Sequence, residues 1–150
     1  MKNTKLMLLV AFVCTMLSFG AVTANAQTTV PVTVTSLSGS DPSFASQVTY
    51  YVTLHNNTTN DDYYFQTTPY NLSDDGSYHI GSIPTGDYSV SISFSHYNYW
   101  QSYFDWNVNG YDGYSLSMYS GTDYTLKSSV TVNDNYPMGD YGLAITMYRI

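Results

Sequence analysis

Apolar and polar residues alternate with a period of two along most of this chain, and that pattern leaves little except β-structure open to it. The clearest stretch interleaves Tyr88, Val90, Ile92 and Phe94 with Ser89, Ser91, Ser93 and Ser95. Successive side chains of a strand point to opposite faces, so one face here is apolar and the other is a row of hydroxyls. Such a strand buries one side and wets the other, as antiparallel sheets do. The same period runs through Val30, Val32 and Val34; through Val48, Tyr50, Val52 and Leu54; through Tyr114, Leu116 and Met118; through Tyr124, Leu126, Val130 and Val132; and through Tyr141, Leu143, Ile145 and Met147. Segments rich in Gly, Asn, Asp, Ser or Pro separate these runs at 38–42, 56–62, 73–76, 84–86, 109–113, 120–123 and 133–139. The expectation is an all-β fold, a seven- to eight-stranded antiparallel β-sandwich.

The N-terminus follows a different logic. Lys2 and Lys5 precede an apolar run over 6–19, and Ala24-Asn25-Ala26 forms a small-x-small cleavage site. This is the three-part pattern of a secretory signal peptide, which predicts removal of 1–26 and a mature chain starting at Gln27. The apolar run is shorter than the ~20 residues a spanning helix needs, and no later segment is apolar for long enough. Cys14 leaves with the peptide, so 27–150 is a single domain with no disulfide to staple it. The junction has a bacterial character, and the predicted location is extracellular, on the cell surface or in the periplasm. The sequons at Asn56, Asn57 and Asn71 therefore carry little weight.

Charge narrows the partners. All eleven acidic residues are Asp; against them 27–150 holds only Lys127 and Arg149, a formal charge of −9. An acidic surface repels phosphate backbones and anionic lipid, so nucleic-acid and membrane-surface roles are disfavoured. The chain is also rich in Tyr, with 17, all of them after the signal peptide.

Residues 74–94 read DDGSYHIGSIPTGDYSVSISF. This segment resembles the core signature of the prealbumin-like modules, the carboxypeptidase regulatory-like and Cna-B-like domains. In these an Asp-Gly turn, a short strand and an Ile/Leu-Pro-x-Gly-x-Tyr turn precede an alternating strand. Here Asp75-Gly76 is the first turn, 77–81 the short strand, and Ile83, Pro84, Gly86 and Tyr88 match the second turn. The resemblance implies a seven-stranded β-sandwich acting as a non-catalytic module. Some members of that family carry a Lys–Asn isopeptide bond with an acid nearby. Lys127 lies late in this chain and Glu is absent, so no such bond is expected.

The segment 96–106, HYNYWQSYFDW, is the densest aromatic stretch. Continued parity from the preceding strand turns Trp100, Phe104 and Trp106 inward, and Tyr97, Tyr99 and Tyr103 outward as the candidate ligand-binding residues. Flat rings with polar edges stack on sugars and anchor protein interfaces, so the expected partner is a glycan or another extracellular protein. Calcium candidates at Asp61-Asp62, at Asp74-Asp75 and at Asn133-Asp134-Asn135 with Asp140 lack the spacing of a calcium loop, and turns select these residues anyway. His55, His79 and His96 are scattered, and 27–150 contains neither a Cys nucleophile nor a Gly-x-Ser-x-Gly elbow. No catalytic residue, metal or cofactor is expected. The leading expectation is a secreted, non-catalytic module for adhesion or binding. The alternatives are a structural or self-associating extracellular protein and a small outer-membrane β-barrel.

Overall fold

The alternating runs do form strands, and the faces they bury are the ones that their apolar residues mark, except that Tyr114 and Tyr141, each first in its run, are exposed. A computed structural model of the chain describes residues 27–39, 41–67, 77–135 and 141–150. The signal segment, Cys14, Asn71, the Asp74-Asp75-Gly76 turn and Asp140 lie outside the described residues. Among the described residues there are nine strands and one short helix: β1 (Thr29–Leu37), α1 (Pro42–Gln47), β2 (Thr49–Asn56), β3 (Asp62–Gln66), β4 (Ser77–Pro84), β5 (Gly86–Ser95), β6 (Gln101–Val108), β7 (Tyr111–Tyr119), β8 (Tyr124–Val132) and β9 (Leu143–Arg149). The strand beyond the expected seven to eight is β3. It starts inside the segment read as a turn, and its inward pair, Tyr63 and Phe65, is masked in sequence by Tyr64 between them.

The strands divide into two sheets, ordered β4-β1-β9-β6-β7 and β3-β2-β5-β8. Every pairing between the named strands is antiparallel except that of β1 with β9. An outer-membrane barrel requires closure; among the described residues the two sheets stay separate, each with two edges. No described helix is long and apolar enough to cross a membrane.

Their inward faces share one buried cluster. Val32, Val34, Phe104, Leu143 and Ile145 come from the first sheet, and Val52, Leu54, Val90, Ile92 and Phe94 from the second. The serine row of β5 faces away from that cluster, where Ser91 meets Thr125 of β8 across 3.1 Å. The Pro84–Gly86 corner carries the chain from one sheet to the other. Tyr88 closes this corner by donating its hydroxyl to the Pro84 carbonyl at 2.8 Å while its ring is fully buried.

The β6–β7 hairpin turns at Asn109-Gly110, both with positive φ (46° and 84°). Two such residues make a type I′ turn, which matches the twist of the flanking strands. Gly142, at φ 83°, is fixed by close approach: a Cβ there would lie 2.3 Å from the Pro31 carbonyl.

Candidate functional site

Three strands, β9, β6 and β7, build the most aromatic outer surface. Their inward residues are fixed by burial of Phe104, Val108, Met118, Ile145 and Met147, so the intervening residues face solvent. Register then sets the outer rows. Tyr103 lies opposite Ser117, Asn107 opposite Asp112, and Gln101 opposite Tyr119. On the other flank, Asp105 lies opposite Tyr148 and Asn107 opposite Thr146.

A bulge re-aims part of this face. The register between β6 and β7 shifts between Phe104 and Trp106, where Ser115 adopts φ 52° and its N–H donates to Asp105 Oδ1 at 2.7 Å. The extra residue swings Tyr114 out, 73% exposed. The result is a shallow groove of about 140 Å³ lined by Asp105, Asn107, Asp112, Tyr114, Thr146 and Tyr148. Asn107 donates to Asp112 Oδ1 at 2.7 Å and accepts from Gly110 N–H at 2.9 Å, so the groove's amide is held in one orientation. Trp106 lines the groove too, and its indole lies over Gly113, where a Cβ would come within 2.1 Å of the ring. At the far end of the hairpin Trp100 packs on Tyr119, with ring centroids 5.3 Å apart.

The three candidate tyrosines are not brought together on one surface. Tyr103 stands on the outer face of β6, half exposed, as expected. Tyr97 projects from the connection between β5 and β6 at 93% exposure. Tyr99 turns the other way, and its outward assignment is corrected. Its ring meets Phe44 edge-on at 5.6 Å and His96 at 4.8 Å, and its hydroxyl donates to Asp41 Oδ2 at 3.0 Å. Trp100 is corrected in the opposite sense: expected inward, it is 72% exposed. The strand parity ends at His96, whose Nδ1 accepts the Asn98 N–H at 3.0 Å and bends the chain. Phe104 is buried as expected, and Trp106 packs half-buried against the core.

The Tyr99 cluster is a structural clamp. Arg149 sits at an inward position of β9, and its guanidinium lies 4.2 Å from the Tyr99 ring centroid and 4.5 Å from that of Phe44. It also donates to Asp41 Oδ2 at 2.7 Å. Hydrogen bonds from Ser43, Arg149 and Tyr99 hold the Asp41 carboxyl well below the usual carboxylate range. Lys127, the other cation of 27–150, stands 4.1 Å over the Tyr111 ring.

The described acidic turns serve the fold. Asp61 accepts from Thr59, and Asp62 pairs with His55 at 2.8 Å. Asn133 accepts from Asn135 N–H. Among the described residues no three His, Cys, Asp or Glu side chains converge as a metal site. Asn56 is buried, with its side chain holding the turn through Thr58 and Thr59. Sequence reasoning missed Tyr114, Tyr148, Asp105 and Asp112 as one site, because their proximity arises from strand register and a bulge. Comparison with protein families, curated proteins and solved structures finds no match to this chain.

Proposed function

We propose that this chain is an exported, non-catalytic β-sandwich module of prealbumin-like architecture that binds glycans on the outer face of β9, β6 and β7. The observation that carries the reading is the groove in which Tyr114 and Tyr148 flank Asp105, Asn107 and Asp112. Sugars present apolar ring faces and hydroxyl edges. Aromatic walls beside carboxylates and an amide answer both. The architecture has its own support. Setting the β6–β7 hairpin aside leaves seven strands, β4-β1-β9 against β3-β2-β5-β8, the strand number implied by the resemblance of 74–94. The hairpin is then an addition to a common framework, and it carries most of the groove.

A glycan array probed with the exported protein tests this. The expected result is a signal that Tyr114→Ala and Tyr148→Ala both reduce, with Tyr97→Ala neutral. Silence across the array would sink the glycan reading. Intact-mass measurement of the exported chain should place its N-terminus at Gln27; retained Met1 would show that the leader is not cleaved.

A second reading, self-association, draws on β7, a nine-residue edge strand with neither Lys nor Pro to guard it. Light scattering of the same preparation separates the two: dimers that persist without glycan favour edge pairing.

A further inference from the structure

Resting on the glycan reading, we infer that the ligand is an extended, uncharged polysaccharide lying along β6, rather than a terminal sugar or an anionic glycan. The groove at Tyr114 and Tyr148 holds about 140 Å³. Enclosing pockets for small molecules start near ~300 Å³, so this one grips part of a larger ligand. The rings do not stop there. Same-face residues of a strand recur about every 6.8 Å. Gln101, Tyr103 and Asp105 therefore mark three successive levels along β6. The first level carries the Trp100–Tyr119 ring pair, the second Tyr103, and the third the Tyr114–Tyr148 groove. Aromatic surface thus extends about 14 Å along one strand direction, more than a single sugar ring covers. A chain of linked sugars meets all three levels at once.

Charge selects the class of polymer. The groove is lined by Asp105 and Asp112, and 27–150 has only two cations. Arg149 is committed to Asp41 and to two rings, and Lys127 lies over Tyr111. Uronate, sulfate or phosphate groups would meet carboxylates with no free cation to offset them, whereas hydroxyls donate well to both aspartates.

The test is titration of the exported protein with soluble β-glucan, xylan and mannan, with their oligosaccharides of two to eight sugars, and with polygalacturonate. Affinity for the matching neutral series should rise at least tenfold from disaccharide to hexasaccharide. Trp100→Ala and Tyr148→Ala, at opposite ends of the platform, should each weaken the polymer by about tenfold or more. Unchanged thermal melts would show that both variants still fold. If disaccharide binds as tightly as polymer, the extended-chain inference fails while the glycan reading stands. Polygalacturonate binding as tightly as the neutral polymer would overturn the charge argument. If no member of any series binds, although an array signal exists, the polymer class is wrong; if the array is silent too, the glycan reading itself falls.

Discussion

His96 shows how one side chain can couple packing to pH. It is 8% exposed, stacked on Phe44 at 4.7 Å with the rings 4° from parallel, and edged by Tyr99. Its Nδ1 accepts from Asn98, so the neutral ring carries its proton on Nε2, which has no partner among the described residues. Burial lowers its pKa from the ordinary 6.5, and the nearby Arg149 lowers it further, with Asp41 acting in the opposite sense. Protonation would remove the acceptor that bends 96–98. The unfolded chain therefore takes up this proton first as pH falls. The His96 contribution is fully present above pH 6.5 and is lost as pH drops from there through the depressed native value. The urea midpoint should fall between pH 7.5 and 5.5, and His96→Phe should flatten that fall. An equal fall in the variant would assign the pH dependence to other groups. The faces of β5 give a second test. Phe94 is fully buried between Phe44 and Phe104, so Phe94→Ala should cost about 3–5 kcal/mol. Ser91→Ala on the opposite face should cost under about 0.5 kcal/mol. Equal losses on urea unfolding would mean that the faces are misassigned.

Among the elements, β7 depends most on a local device. Its bulge places Ser115 in the left-handed region, which costs an L-residue about 1–2 kcal/mol. Ser115→Gly relieves that cost and keeps the N–H that Asp105 accepts, so it should hold or raise the melting temperature. Ser115→Val should melt several degrees below the Gly variant; the reverse order would mean that the positive φ is not retained. A bulge also breaks the regularity an incoming strand would need, which counts against edge pairing at β7. The bulge also marks the limit of what patterning reveals. β5 was legible because one of its faces is buried throughout, so its alternation is unbroken. The 97–100 connection was not, because β5 and β6 belong to different sheets and parity does not carry across a change of sheet. Tyr103 kept its expected face because it lies inside β6, while Tyr99 and Trp100 lie before it and exchanged theirs. The groove needed Asp105 and Tyr148 to be cross-strand partners, a relation between residues far apart in sequence that no local pattern records.

At the scale of the whole molecule, the order of synthesis and the order in space disagree. β9 is the last strand in sequence, yet it is the middle strand of the five-stranded sheet, flanked by β1 and β6. Without it the pairs β4-β1 and β6-β7 have no strand to join them. Leu143, Ile145 and Met147 would also be missing from the shared core, and Arg149 from the clamp on Asp41, Phe44 and Tyr99. The first strand thus waits for the last, a separation of more than 100 residues between Val32 and Leu143. Contacts this distant in sequence slow folding, because loop closure must precede them, which suits a chain proposed to cross a membrane before it folds. Cooperativity should therefore reside in β9. A chain ending at residue 140 should retain the β5 sequence, the Pro84–Gly86 corner and every strand of the second sheet, yet show no cooperative urea transition by circular dichroism. Exchanging Ile145 and Met147 for Ala in the full chain should give a milder form of the same defect, about 2–5 kcal/mol for each buried side chain, with the transition still cooperative. If the truncated chain unfolded at the full-length midpoint, the second sheet would be shown to fold without the first, and the shared core would not be the unit of stability.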